Sequence, residues 1–298
     1  MTDSRITIRR GRSEDARPAF DLSIAAMSDL FKRQGVAWTL DPDDFWSALE
    51  PILLHLAKTA AEWWVAIDDS DGTLAGYSRS IERGRMIELT ELFVLPKHQS
   101  AGLGGKLIEL AFPTGRGDLR VIVATTDVRA LARYYKAGTV VRFPIASVTG
   151  APRPTDPIQL DASPATLDDL ADLATLEKAV IGYPRTDDYP WLIENRDGSV
   201  FRRDGRPVGF AFIGPDGSGP VAALDPSDQV PILLHAEGRA NAIGMDELSF
   251  EVPMPNEIAM RHLLARGFKI EPPLTMLMSN VPFGQFDRFL PFGPSVVL

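Results

Sequence analysis

A glycine-rich turn between an apolar strand and an amphipathic helix constrains the fold more than any other feature of the sequence. Residues 87–95 are rich in β-forming side chains and end at Pro96, which predicts a strand. Apolar residues at positions i, i+4, i+7 and i+8 then predict a helix over residues 103–111. The sequence therefore predicts a strand–turn–helix unit in which one face of the helix packs on a core.

Three glycines, Gly102, Gly104 and Gly105, lie where this helix begins. Without side chains, they let a ligand approach the free backbone N–H groups of the first helical turn. The positive end of a helix favours an anion, so the turn predicts a site for a phosphate or pyrophosphate. A turn with only a structural role is the alternative.

Two common phosphate-binding motifs do not fit this turn. A P-loop needs glycine where Ser100 stands, and serine or threonine where Leu107 follows Lys106. A dinucleotide-binding fingerprint that starts at Gly102 would need a third glycine at Leu107. The pattern that remains is Gln or Arg, two residues of any type, Gly, one residue of any type, and Gly or Ala.

Residues 99–104 match that pattern as Q-S-A-G-L-G, directly after a strand that ends in V-L-P. This segment resembles the coenzyme A pyrophosphate loop of the GNAT superfamily of acyl-CoA-dependent N-acetyltransferases. The resemblance implies acetyl-CoA as co-substrate, with loop amides on the pyrophosphate and strand backbone along the pantetheine arm. The coenzyme-binding residues that it implies are Leu92, Phe93, Val94, Gln99, Ser100, Ala101, Gly102, Leu103, Gly104, Gly105, Asp127 and Ala130.

Elements around the turn predict a mixed α/β domain over residues 1–147. Their predicted order is strand, helices (the first over residues 13–28, the rest broken at Pro42 and Pro51), hairpin, strand–turn–helix, strand, helix and strand. The same order is expected of a GNAT domain, with a mixed, mostly antiparallel sheet flanked by helices. Three prolines and a glycine then predict a linker over residues 148–157.

Residues 158–298 repeat the first half. Asp127 precedes Gly138 by eleven residues, and Asn256 precedes Gly267 by the same number, in each case after a predicted strand. The sequence therefore predicts two tandem GNAT-like copies. The second copy has D-P-S-D-Q-V-P in place of the glycine turn and Leu263 in place of Tyr134. It is predicted to be degenerate, and to cap the first domain, shape the acceptor pocket or dimerise.

Acyl transfer to an amine calls for a general base and a general acid. Glu88 and Glu91 are the candidate bases, and strand alternation places them on opposite faces unless a bulge intervenes. Glu88 lies eleven residues before Gln99, like the base of histone-type members of the resembled family, and Glu91 matches an acidic position of polyamine-type members. Each could instead be a solvated carboxylate on the sheet.

Tyr134 is the candidate acid. It lies four residues before Gly138, where the resembled family places the tyrosine that protonates the coenzyme A sulfur. Helical spacing from Val128 predicts that Tyr135 belongs to the core stripe and that Tyr134 lies off it. A packing role for Tyr134 is the alternative. Asp127 stands where the family usually has asparagine, which puts that coenzyme contact in doubt.

Composition excludes several classes of function. A net charge of −9 argues against nucleic acid or an anionic membrane as a partner and is compatible with a cationic acceptor. The absence of cysteine excludes an acyl-cysteine intermediate, so transfer is expected to be direct. Four scattered histidines show no metal-ligand spacing, and His98 is expected to face solvent. With no leader and no long apolar run, a cytoplasmic protein is expected.

These features favour an acetyl-CoA-dependent N-acetyltransferase that acts on a primary amine of a small molecule or peptide. One alternative is a tandem GNAT enzyme of the mycothiol-synthase type, which would acetylate a metabolite. Another is a non-catalytic acyl-CoA-binding sensor. The acceptor itself is not encoded in any motif of the chain.

Overall fold

The computed structural model describes residues 6–36, 41–99 and 102–293. The chain forms two compact units. Unit 1 comprises Met1–Glu82, Met86–Ile122 and Asp127–Val140. Unit 2 comprises Arg83–Arg85, Val123–Thr126 and Val141–Leu298. Within the described stretches, no helix is both long and apolar enough to cross a lipid bilayer.

Five strands form the sheet of unit 1 in their order along the chain. They are β1 (Ile6–Arg10), β2 (Ala60–Asp68), β3 (Leu74–Arg83), β4 (Met86–Val94) and β5 (Leu119–Ala124). The helices are α1 (Ala16–Gln34), α2 (Pro42–Lys58), α3 (Leu103–Ala111) and α4 (Val128–Lys136). The β1–β2 and β2–β3 pairs are antiparallel, whereas β4 and β5 are parallel. This confirms the predicted mixed α/β class.

The sheet of unit 1 has a hydrophobic core on each face. On one face Trp63, Val65 and Tyr77 pack with α1. On the other face Leu103 and Leu107 of α3 pack with small residues of β2 and β3. Alternation along β4 divides its side chains between the two cores, because Phe93 contacts the first and Leu92 and Val94 contact the second.

The two N-terminal helices are longer than the sequence predicts. The first was expected over residues 13–28, but α1 continues to Gln34. A break was expected at Pro51, yet α2 runs through it. Pro51 removes one backbone hydrogen bond, and the buried side chains of Leu49, Ile52 and Leu53 hold the helix on the core despite that loss.

Unit 2 contains eight strands and four helices in the described part of the chain. The strands are β6 (Val140–Gly150), β7 (Asp161–Pro164), β8 (Asp197–Arg203), β9 (Arg206–Ile213), β10 (Val221–Ala223), β11 (Leu248–Pro253), β12 (Lys269–Ser279) and β13 (Phe289–Leu290). The helices are α5 (Leu170–Ile181), α6 (Tyr189–Asn195), α7 (Gln229–Ala242) and α8 (Glu257–Ala265). One sheet has the strand order β13-β10-β9-β8-β7. A second sheet contains the neighbouring strands β12-β6-β11.

The linker predicted over residues 148–157 begins later than expected. Strand β6 continues to Gly150, and Val148 pairs with Phe250 of β11. Both side chains are buried, which explains why the strand persists here despite the nearby prolines. The division into domains at residues 1–147 and 158–298 stays a prediction.

The two halves share local geometry as well as element order. In the short 3-10 turns before α1 and α5, the Asp15 and Asp169 carboxylates accept the backbone N–H groups of Arg12 and Thr166, each at 2.8 Å. Asp127 and Asn256 both cap the helix that begins after them, α4 and α8. The predicted tandem repeat is therefore present in the fold.

Candidate active site

Strands β4 and β5 separate halfway along β4. They pair over four positions, from Met86↔Leu119 to Leu89↔Ile122. Strand β4 continues to Val94, so the edge of residues 90–94 on that side extends past the paired region. Exposed strand edges bind extended ligands through main-chain hydrogen bonds. Unit 1 thus presents a backbone edge that an amide-containing substrate can pair with.

Helix α3 begins at this edge with a glycine. Gly102 is the N-cap with φ of 84°, a left-handed conformation that favours glycine, and no side chain caps the helix. A Cβ atom added at Gly102 or Gly105 would meet no atom within 4 Å. The Gln99 side chain donates from Nε2 to the Val94 carbonyl at 2.9 Å and ties the turn to β4. Ser100 and Ala101, two of the predicted loop contacts, lie outside the described residues.

A solvent-open groove of about 530 Å³ joins the β4 edge, the turn and α4. It is lined by Leu92, Val94, Gln99, Gly104, Asp127, Arg129, Ala130 and Arg133. Six of these were predicted coenzyme contacts and come from three separate stretches of sequence. The fold therefore places in one groove six residues that the resemblance implied as coenzyme contacts.

Two arginines in this groove were missed by sequence reasoning. Arg129 and Arg133 lie on α4, and the Arg133 guanidinium lies 3.5 Å from where a Cβ of Gly104 would be. They supply the positive charge that a phosphate-binding groove needs. The available signal was their spacing of four residues, which places both side chains on one face of α4.

Asp127 is charged and held in place. Its carboxylate accepts the Arg129 backbone N–H at 2.9 Å and lies 3.6 Å from the Arg33 guanidinium. Burial raises the pKa of Asp127, but the Arg129 N–H and the two arginine charges outweigh it and leave the pKa below its usual range. Neighbouring arginines thus balance the charge of Asp127 at the position where the resembled family usually has asparagine.

Two predicted coenzyme contacts point into the protein core. The ring of Phe93 packs with Tyr77 on the opposite face of the sheet, with ring centroids 5.7 Å apart. The Leu103 side chain is buried under α3. Only their backbones remain for a ligand, which is the kind of contact that the resemblance implies for the strand and the loop.

Glu88 lies one position before the strands separate. It pairs with Val121, and its side chain is 1% exposed. Of the two candidate bases it is the one nearest to the point where the β4 edge opens. Its catalytic role stays a prediction.

Glu91 belongs to a buried polar network on the α1 face of the sheet. One carboxylate oxygen accepts the Tyr77 hydroxyl at 2.8 Å, and the other accepts the Arg79 guanidinium. Arg79 also donates to the Leu53 carbonyl of α2 at 3.1 Å. Burial and the Glu91 charge raise the pKa of Tyr77 well above its ordinary value. These contacts favour a structural role for Glu91, and its role as a base stays a prediction.

The two tyrosines of α4 are placed opposite to the expectation. Tyr134 is 7% exposed, whereas Tyr135 is 51% and Val128 is 75% exposed. The predicted core stripe was wrong because it counted apolar residues, while the buried face of this short helix runs from Asp127 through Ala130 to Tyr134. Burial, followed by the nearby Asp127 charge, raises the pKa of Tyr134. Tyr134 therefore keeps its proton at neutral pH.

His98 does not face solvent as expected. Its side chain is 11% exposed, and Nε2 lies 3.3 Å from the Asp68 carboxylate. The turn after β4 packs on the β2–β3 hairpin, which covers the imidazole. The neighbouring Lys97 ammonium also lies 3.3 Å from Asp71 of that hairpin. His98 thus helps to attach the glycine turn to the sheet.

Comparisons with known proteins agree with this geometry. Residues 24–139 match the family model described as acetyltransferase (GNAT) family. A putative acetyltransferase from Pyrococcus horikoshii superposes with a TM-score of 0.74 at 15% identity, covering 95% of this chain and 92% of that one. A GCN5-related N-acetyltransferase from Sphaerobacter thermophilus has a TM-score of 0.62 at 17% identity, covering 92% and 95%.

A tandem GNAT protein from the clavulanic acid biosynthesis pathway also shares the fold. It superposes with a TM-score of 0.58 at 13% identity, covering 93% of this chain and 99% of that chain. No curated protein sequence matches the chain. Residues 24–139 thus match the acetyltransferase (GNAT) family, and the chain as a whole shares the fold of solved GNAT proteins, one of them a tandem GNAT protein.

Proposed function

We propose that unit 1 transfers an acetyl group from acetyl-CoA directly to a primary amine of a small molecule or peptide. The observation that carries this proposal is the open β4 edge beyond Leu89, which leads to the uncapped glycine start of α3. A backbone edge and an anion-binding helix end in one groove suit a donor with amides at one end and phosphates at the other.

The residues of the groove fit acetyl-CoA. The N–H groups of the first turn of α3 and the guanidinium groups of Arg129 and Arg133 would hold the phosphates. The backbone of residues 92–94 would pair with the pantetheine amides. The thioester supplies an activated acetyl group, and the residues of the chain position it and handle the protons.

A lysine-like amine is mostly protonated at neutral pH, so it must lose a proton before it attacks. Glu88 is the base in this proposal, acting directly or through one water, because it lies where the two strands part. Tyr134 keeps its proton at neutral pH, so its phenol would donate a hydrogen bond to the departing sulfur. No cysteine is present to carry the acetyl group, in keeping with direct transfer.

Release of coenzyme A, measured over a panel of amines, tests this proposal. We expect Glu88→Gln to lower kcat by about 10²–10⁴-fold while leaving the affinity for acetyl-CoA unchanged, because only the proton acceptor is lost. Tyr134→Phe should lower kcat, whereas Tyr135→Phe, one residue further along the helix, should not. Full activity of Glu88→Gln would contradict the assignment of the base.

A non-catalytic acyl-CoA sensor is the second candidate, and the burial of both glutamates favours it. A sensor would bind acetyl-CoA tightly and release no coenzyme A above the rate of hydrolysis with any amine. The same panel therefore separates the two functions. Identification of the amine that is consumed would further distinguish a metabolite acetyltransferase of the mycothiol-synthase type from a peptide acetyltransferase.

A further inference from the structure

Unit 2 repeats the point at which the two strands of unit 1 separate. Residues 94–96 before the glycine turn, V-L-P, correspond to residues 224–226 before α7, L-D-P. This correspondence aligns Glu88 with Ser218. Ser218 forms a parallel bridge with Phe250, just as Glu88 pairs in parallel with Val121. In each copy, two parallel strands are therefore paired at the equivalent position before they separate.

The copies differ beyond that point, because β10 has a second neighbour. Strand β13 pairs with β10 in antiparallel register, with Val221 opposite Leu290 and Ala222 opposite Phe289. The Ala223 N–H donates to the Arg288 carbonyl at 3.1 Å, and the Gly293 N–H donates to the Ser218 carbonyl at 2.9 Å. Residues 285–293, the C-terminal segment, thus follow the strand from one end of this edge to the other.

Side chains of unit 2 hold the C-terminal segment in this position. The buried Arg196 guanidinium donates to the carbonyls of Gly219 at 2.6 Å and Gly293 at 2.7 Å, and it stacks on the ring of Phe292 at 3.8 Å. Burial lowers the pKa of Arg196 to about 10, so the group stays charged at neutral pH. At the start of α7, Gln229 donates to the Asp287 carbonyl at 2.6 Å.

The fit around the segment leaves little space for another ligand. A Cβ atom at Gly219 would lie 2.1 Å from the Pro291 carbonyl oxygen, and the φ of Gly219 is 108°. Phe289, Leu290 and Phe292 are at most 2% exposed. A chain packed this closely behaves as part of the core and not as a tail on the surface.

We infer that the C-terminal segment is a built-in occupant of the donor cleft of unit 2, lying where pantetheine would lie along β4 of unit 1. The comparison with pantetheine rests on the proposed function of unit 1, whereas the occupancy of β10 does not. Phosphates would also meet carboxylates here, because Asp225 accepts the Ser227 N–H at 2.8 Å and Asp228 pairs with Arg203 before α7 begins. Unit 2 therefore binds its own chain in place of an acyl-CoA.

Hydrogen exchange of the full chain, resolved by residue and measured with and without acetyl-CoA, tests the inference. The Ala223 and Gly293 amides should be protected in the free protein and unchanged by acetyl-CoA. Rapid exchange of both amides in the free protein, or protection that appears only with acetyl-CoA, would overturn it. The Leu92 and Val94 amides in unit 1 report on the proposed function separately. They alternate with the Leu95 N–H, which donates to the Ala75 carbonyl, so they point to the open edge and should gain protection only when acetyl-CoA binds.

A pair of matched variants sharpens the test. Phe289→Ala removes a buried ring from the paired strand and should speed exchange at Ala223 by about tenfold or more. Phe283→Ala removes a partly buried ring before the paired strand and should leave that amide unchanged. The two variants should be compared at similar melting temperatures. Equal changes in the exchange rate of the Ala223 amide would then show that the segment does not cover β10, and would overturn the inference.

Discussion

The starts of α3 and α7 occupy equivalent places in the two copies and differ in nearly every chemical respect. Helix α3 begins at Gly102, with open space beside its N–H groups and arginines across the groove. Before α7, Asp225 caps a short turn, Asp228 is buried in an ion pair, and Gln229 binds the C-terminal segment. One helix start is open to an anion and the other is satisfied by its own chain.

This difference indicates that the frame of the fold and the proposed binding of a ligand depend on separate residues. Both copies keep the same caps and turns, such as Asp127 and Asn256 before α4 and α8. These residues satisfy backbone groups and are needed whether or not a ligand binds. In the proposed function the glycine turn and the β4 edge contribute to binding instead, and among the described residues only unit 1 has both.

Gly104→Glu should produce the largest effect. The new carboxylate would lie beside Arg133 and repel phosphates from the start of α3. Loss of two charge-assisted hydrogen bonds, each worth about 1.5–3 kcal/mol, predicts that acetyl-CoA affinity falls by about a hundredfold or more. Calorimetry measures the change. Ser227→Glu, an exposed position before α7, is the control, and an equal loss of affinity there would contradict the assignment of the donor site to unit 1.

Replacing an arginine with methionine should lower stability in unit 2 and acetyl-CoA affinity in unit 1. Arg196→Met leaves two buried carbonyls of unit 2 without a donor, which should cost about 2–4 kcal/mol and lower the melting temperature. Arg133→Met should weaken acetyl-CoA binding with little change in melting temperature, because that side chain lies at the groove. Calorimetric melting and binding assays of both variants give the comparison. Similar melting temperatures for the two variants would contradict the role of Arg196 in holding the C-terminal segment.

Asp127→Asn should have the smallest effect, since it gives α4 the cap that α8 already has. The lowered pKa of Asp127 means that its charge stabilises the fold above the unfolded pKa of about 4, and this contribution disappears as the pH falls through the lower folded pKa. Urea unfolding should show wild type more stable by about 0.3–1 kcal/mol near pH 7. This difference in unfolding free energy should shrink in acid. A difference that grows there would contradict the lowered pKa of Asp127.

The sequence predicted the features that depend on nearby residues. The strand before Pro96, the helix after the glycine turn and the helices that begin after Asp127 and Asn256 follow from local spacing, and the structure contains them. A local signal also marked the second copy as lacking the glycine turn. The predicted order of elements and the tandem fold follow from the same periodicities.

Features set by contacts between distant residues were missed. The burial of Tyr134 depends on which side of α4 faces the sheet, and helical spacing alone selected Tyr135. The contacts of Glu91 with Tyr77 and Arg79 join residues of adjacent strands. The pairing of β13 with β10 joins residues that are far apart in the chain, and no periodic pattern encodes it.

The number of acetyl-CoA molecules bound per chain tests the central claim most directly. Isothermal titration of the full chain should give one site, and Gly104→Glu should remove it. A stoichiometry of two, or one site that survives Gly104→Glu unchanged, would contradict the account in which unit 1 has the open cleft and unit 2 is filled by the C-terminal segment.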